Sequence, residues 1–353
     1  MSDSIFERMM ELFNQPGPVN RKIIEEIAMS LAGPGEPLDP TLTDEYQELG
    51  NLALLQTATI SGLPTLDRAQ IDPVDRATWT RDNLGTFDYL AEPLGGRLGE
   101  DNSMMAPIAA SMIGMQLGSL IGGLSHHAFG GFDVGLVAPA PRGYLIVPTL
   151  EAFAREHSLD ARQLRFWASL HEALHLRISS VDWIAARYAS LLGEYLAGIN
   201  VDMGQIMGQM QGMTDPSQAE AMFSEGGLTG IIGESENEQA RLDAQALLAV
   251  VGGMRRHFVA GFADQYGLDL LEIRRALVSR SLEPEATPTS SLALPTHEGI
   301  SAGEAFCDEV VERWGSDTLP KILSSHEAAP TADELEDPLG WAARVLLDEL
   351  PAL

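Results

Sequence analysis

The sequence predicts a mainly α fold in one compact unit with at most a small β element, and three observations carry that prediction. Apolar residues recur at helical spacing from about Leu150 to Ser281. Elsewhere, shorter helical stretches are closed by proline and glycine, as at Gln15-Pro16-Gly17-Pro18 and Gly33-Pro34-Gly35-Glu36-Pro37. Only Phe129 to Pro148 breaks into short apolar runs punctuated by glycine and proline, the pattern of strands. At 353 residues and 45% hydrophobic content, the chain is long enough to bury a substantial core.

The elements follow in order. Residues 1–65 form an N-terminal helical extension, with helices expected over Ser4–Phe13 and Ile24–Leu31, and Thr43-Asp44 capping a third through Tyr46 to Gln56. A helix fits Arg76 to Leu90, where Trp79, Leu84, Phe87 and Leu90 share a face. Between Asp101 and Asp133 there is no charged side chain, and Met104–Leu124 is long enough to span a bilayer. Its Gly114, Gly118 and Gly122 stand at small-xxx-small spacing, which serves a close helix crossing in either solvent. Pro107, Ser111, Gln116 and Ser119, with no basic flank, favour a buried helix of a soluble protein. A hairpin or extended pair is expected around Tyr144-Leu145-Ile146-Val147. A Pro/Ser/Thr-rich loop over 283–296 precedes a final helix at Ala302–Trp314. No repeat and no clean linker is visible.

Composition excludes several classes of partner. Basic residues number 22 against 51 acidic ones, a formal net charge of -29, which repels phosphate backbones and anionic membrane surfaces. Cys307 is the single cysteine, so no intrachain disulfide forms. The first residues lack a basic segment followed by an apolar run, and a cytoplasmic location is expected.

The chemistry is concentrated at His171-Glu172-Ala173-Leu174-His175. The preceding residues offer Ser158 as N-cap and Asp160 in the first turn, and Leu164, Trp167, Leu170, His171, Leu174, His175 and Ile178 fall on one broad face. Two histidines four residues apart stand one turn above the other, so both imidazoles can reach one Zn²⁺. Glu172 lies about 100° around the helix, where it can act as general base beside the ligands. The bland alternative is a pair of core histidines with Glu172 as a surface charge. Glu194, nineteen residues after His175 on the next helix, is the candidate third ligand, and reads equally as a solvated carboxylate on the shoulder of its helix. His257, in Arg255-Arg256-His257, is a further candidate as ligand or oxyanion stabiliser, or else part of an exposed basic patch. Met203, Met207, Met210 and Met213 recur at helical spacing and read as core filling.

With these residues in view, the chain resembles a zincin-like family of actinobacterial zinc-dependent metalloproteases, some relatives of which are labelled as associated with coenzyme F420 biosynthesis. The resemblance spans roughly residues 70 to 345. It runs through Asp75-Arg76-Ala77-Thr78-Trp79, Phe132-Asp133-Val134-Gly135-Leu136, the histidine motif, Val181-Asp182-Trp183 and Glu336-Asp337-Pro338-Leu339-Gly340-Trp341. It implies a compact zincin-like helical fold, a zinc ion held by His171 and His175, and a protein or peptide substrate. One departure stands out. Where the family carries a Glu-Gly pair after the run Ala246–Val251, this chain has Gly252-Gly253. Two readings follow: a zinc-dependent hydrolase using His171, His175 and Glu194 as ligands with Glu172 as base, or an inactive zincin-like scaffold that binds a protein or peptide partner. Retention of Glu172 favours the first and Gly252 the second.

Overall fold

The computed structural model describes residues 19–60, 62–87, 106–134, 142–198, 235–281 and 296–347. Counting helices of eight residues or more, the chain runs α1 (Arg21–Ala32), α2 (Pro40–Thr57), β1 (Gln70–Val74), α3 (Arg76–Asn83), α4 (Ala106–His127), β2 (Arg142–Ile146), α5 (Val147–Glu156), α6 (Ala161–Ser179) and α7 (Asp182–Ala197). It continues through α8 (Glu238–Tyr266), α9 (Leu270–Ser281), α10 (His297–Trp314) and α11 (Pro338–Val345). The fold is mainly α with a two-stranded sheet, as the periodicity predicts. The helix expected at Ser4–Phe13, the methionine stretch Met203–Met213 and loop residues 283–295 lie outside the described residues.

Two compact units are interleaved along the chain. One draws on Met1–Pro34, Thr80–Ser125 and Ala189–Arg241, the other on Gly35–Trp79, His126–Tyr188 and Leu242–Leu353. Several passages between them fall inside helices α3, α7 and α8. A chain that changes unit in mid-helix leaves no polar, glycine-rich connector to read in the sequence.

In the first unit, α1 and α4 pack through the glycine stripe. Asn20 caps α1, its side chain accepting from Ile23 N at 3.2 Å, and its own N–H donates to Ala110 O of α4 at 3.1 Å. A Cβ at Gly114, Gly118 or Gly122 would stand 2.8 to 2.9 Å from the carbonyls of Asn20, Ile24 and Ala28. Only glycine allows the two backbones so close. The spacing therefore serves a helix crossing, and no described helix is long and apolar enough to cross a membrane.

The second unit is built around α6, nearly every residue of which from Phe166 to Ser179 is buried. α2 packs along it, and the sheet and α5 lie against it. α2 begins earlier than expected: Asp39 is the N-cap, accepting from Leu42 N at 3.0 Å, and Pro40 occupies the first turn. Proline pre-sets the helical φ and has no N–H to leave unpaired, so it outcompetes Thr43-Asp44 as the start. Of the hairpin or extended pair expected here, Gly130 and Leu145 form an antiparallel bridge, while the regular ladder is a parallel pair, β1 with β2, in register Ile71 with Gly143 and Val74 with Ile146. Parallel strands need a long crossover, so the partner of Tyr144–Ile146 lies about seventy residues upstream, where no local pattern could reveal it. Pro73 is tolerated in β1 because each strand of a two-stranded sheet has an open edge.

At the far side of this unit, α8 and α10 cross with backbones in contact at Gly253 and Gly303. A Cβ at Gly253 would overlap the peptide of Gly303, and one at Gly303 would overlap Ala249 O. At Gly252 a Cβ would stand 2.9 Å from the Ile300 side chain. The glycine pair that departs from the family pattern is thus the crossing point of two helices.

Candidate functional site

The motif helix α6 starts at Asp160, whose carboxylate accepts from Gln163 N at 3.0 Å. The expected cap, Ser158, instead adopts a left-handed backbone with φ 55° in the turn before it. Asp160 sits nearer the first free N–H groups, and a carboxylate also complements the helix dipole.

His171, Glu172 and His175 are all buried, at 5%, 1% and 4% exposure. Glu172 is therefore no surface charge. Its Oε2 accepts from Phe132 N and its Oε1 from Tyr144 N, both at 2.9 Å. The turn Gly131–Val134 and strand β2 so present two backbone donors to one carboxylate. Three glycines make room for it. A Cβ at Gly130 or Gly131 would stand 3.0 Å from a carboxylate oxygen, and one at Gly143 would be 2.7 Å from Glu172 Cγ. Burial pushes the Glu172 pKa up to about 7, held from rising further by the amides of Phe132 and Tyr144 and by the charge of Arg255.

His171 lies between two aromatic rings, stacked on Phe132 with centroids 5.2 Å apart and tilted against Trp167 at 4.5 Å. Burial, with the charges of Arg255, Arg256 and Arg274, holds its pKa well below the usual value, so the ring is neutral.

His175 meets an arginine. Arg255, eighty residues later on α8 and 3% exposed, places a guanidinium nitrogen 3.0 Å from His175 Nδ1. Arginine only donates, so Nδ1 must be the accepting nitrogen, and the proton of the neutral ring sits on Nε2. The same guanidinium stands 5.8 Å from the Phe132 ring centroid. Burial lowers its pKa to about 10, against the stabilising charges of Glu172 and Asp133, and it remains a cation at neutral pH. Asp133 accepts from Phe129 N at 3.2 Å.

A tetrahedral zinc site asks for two neutral imidazoles with free lone pairs and a third donor. A ligating histidine also gives its other N–H to an acceptor, usually a carboxylate or carbonyl. His171 fits: it is neutral and among the described residues forms no hydrogen bond. His175 does not fit, since the group at Nδ1 is a donor and the remaining nitrogen carries the proton. Glu194 is exposed and accepts from the Ser190 hydroxyl at 3.0 Å. Among the described residues no three His, Cys, Asp or Glu side chains are gathered to hold a metal. Among the described residues, then, no complete set of zinc ligands is gathered.

His257, the other candidate from the sequence, pairs with Asp308, Nδ1 to Oδ1 at 2.6 Å. Sequence reasoning missed Arg255 as a partner of the motif, and missed the backbone donors of Phe132 and Tyr144. The signal for the latter was present in the glycines at 130, 131 and 143, which mark a close approach.

A family model described as zincin-like metallopeptidase matches residues 19–342. The chain belongs to this zincin-like metallopeptidase family. The family implies zinc binding and hydrolysis in general, and the match bears out the zincin-like resemblance read from the sequence motifs at the level of the family. Among solved structures, the fold is shared with a "putative hydrolase with a novel fold" from Chloroflexus aurantiacus, at 19% identity, with 94% of this chain and 100% of that chain covered and a TM-score of 0.68. No curated protein matches the chain. Within the zincin-like family, then, this member carries the histidine motif with a guanidinium set against its second histidine.

Proposed function

We propose that this protein is a non-hydrolytic member of the zincin-like family, a scaffold that binds a protein or peptide partner and does not turn it over. The observation that carries the reading is the Arg255 N–H donated to His175 Nδ1, which leaves that ring no lone pair for a metal. Two further features support it. Both oxygens of Glu172 are engaged by backbone amides, and where the resemblance implies a Glu-Gly pair this chain has Gly252, packed on the Ile300 side chain, beside Gly253 at the helix crossing. The net charge of -29 argues against nucleic acid as the partner. The single cysteine, buried and free, accords with a cytoplasmic location.

A second reading has a specific observation in its favour. Burial lifts the Glu172 pKa to about 7, the range suited to a general base. In that reading the protein is a zinc-dependent peptidase, with His171, His175 and Glu194 as ligands and Glu172 as base. It requires Arg255 to leave His175.

The deciding experiment is metal content of the purified chain after zinc incubation and desalting, with His171→Ala as control. The scaffold reading expects well below one zinc per chain, and no difference from the control. One zinc per chain, lost in His171→Ala, together with peptide cleavage abolished by Glu172→Gln, would establish the peptidase instead.

A further inference from the structure

In metalloprotein cores of this kind a cation fixes two imidazoles and offsets a buried carboxylate. Here those groups are buried, and a charged side chain has been brought to them from another helix. Arg255 reaches the motif from α8, donates to His175 Nδ1, and lies over the ring of Phe132. That ring stacks on His171, and the backbone N–H of the same residue donates to Glu172. One residue, Phe132, thus ties the arginine, the first histidine and the glutamate together. The neighbouring guanidiniums do not share the role. Arg256 is taken by Ser301, His297 and Glu304, and Arg274 by Glu304.

Burying a guanidinium this deeply is unfavourable unless nearby groups compensate. The compensation comes from a neutral imidazole acceptor, an aromatic face, and the charges of Glu172 and Asp133. Among the described residues its Nε is buried without a hydrogen-bond partner, so the group is held there by charge and by one strong bond rather than by full pairing. Such a residue is costly to keep unless the core needs a cation.

We infer that the Arg255 guanidinium is the resident cation of this core, fixing the His175 tautomer and offsetting Glu172 and Asp133 in the position of service that a metal ion has in the family. This rests on the scaffold reading above. Its consequence is a core that is complete without metal, so that chelators leave the fold intact.

The test is thermal melting of the full chain, with and without EDTA, as wild type, Arg255→Met, Glu172→Gln and the double variant. Wild type should melt at the same temperature in EDTA. Arg255→Met should lower the midpoint by about 4 °C, because it strands a buried carboxylate, and by less than half of that in the Glu172→Gln background. An equal loss in both backgrounds would overturn the inference, since the arginine would then be ordinary packing. If Arg255→Met does not fold, Arg255→Lys decides: a folded protein supports the role of the charge, and one that also fails to fold refutes it. Stoichiometric zinc in wild type, with melting lowered by EDTA, would instead sink the scaffold reading, whatever the coupling between Arg255 and Glu172.

Discussion

Two buried arginines, Arg177 and Arg255, answer the same problem differently. Arg177, 4% exposed at the end of α6, donates to Thr57 Oγ1 at 3.0 Å, to Pro64 O at 2.8 Å and to Leu54 O at 3.0 Å. Its fork is spent on the carbonyl end of α2, where a cation complements the helix dipole and closes the last turn. Burial alone lowers its pKa. Arg255 has, among the described residues, one hydrogen bond, an aromatic face and carboxylate charge nearby. The first is a backbone clamp whose geometry is satisfied atom by atom. The second is a charge placed among groups that chemistry uses. A buried arginine with its donors matched argues for architecture, while one with a donor unmatched, set against a histidine motif, argues for a former or altered site.

The comparison can be broken most directly at Arg177. Arg177→Met should cost about 4 kcal/mol, by stranding three acceptors and the end of α2, measured by urea unfolding. A cost below that of Arg255→Met would mean the two arginines have been ranked in the wrong order. Next comes Gly143→Ala, whose methyl would press on Glu172 Cγ and Oε1. A loss of about 2–3 kcal/mol is expected, relieved in part by shortening Glu172 to Asp in the same chain. Failure of that rescue would show that the strain lies in the strand and not at the carboxylate.

A third test concerns the other charged cluster on α6. Glu151 accepts two hydrogen bonds from Arg165 and one from the Tyr46 hydroxyl, all at 2.8 Å. Burial alone would raise its pKa, but the bonds from Arg165 and Tyr46 and the charges of Arg165 and Arg155 together bring it below the ordinary 4.5. A carboxylate whose folded value lies below its unfolded one contributes stability that is complete above the unfolded value. That contribution is lost as pH falls from about 4.5 through the folded value. Glu151→Gln should therefore cost about 1–2 kcal/mol at pH 7 and flatten the acid limb of a stability–pH profile. An unchanged acid limb would remove Glu151 from the account. The smallest effect is expected at Gly261 of α8, where a Cβ meets nothing within 4 Å. Gly261→Ala should stabilise by about 0.5–1 kcal/mol, a control showing that α8 tolerates change away from Arg255 and the glycine crossing.

Much of this was legible in residues. The helical face of Leu164, Trp167, Leu170, His171, Leu174 and His175 is buried as its spacing requires. The stripe Gly114, Gly118 and Gly122 marks a close crossing, and its partner is α1. Other features were not. Asp39 and Pro40 start α2 where Thr43-Asp44 looked sufficient, because a cap is chosen by the backbone turn before it as well as by residue type. Gly252-Gly253 read as a lost acidic residue, and the structure adds that α10 crosses there.

By itself the sequence determined the helical class and the clustering of His171, Glu172 and His175 on one helix, since both follow from local spacing along a chain of fixed period, and the resemblance of its motifs pointed to the family. Only the tertiary structure decided that Tyr144–Ile146 pairs in parallel with Asp72–Val74, that two backbone amides hold Glu172, and that Arg255 stands against His175. Periodicity tells which face of an element is buried, but not which distant side chain is packed against it. That is settled when helices remote in sequence compete for the same buried volume.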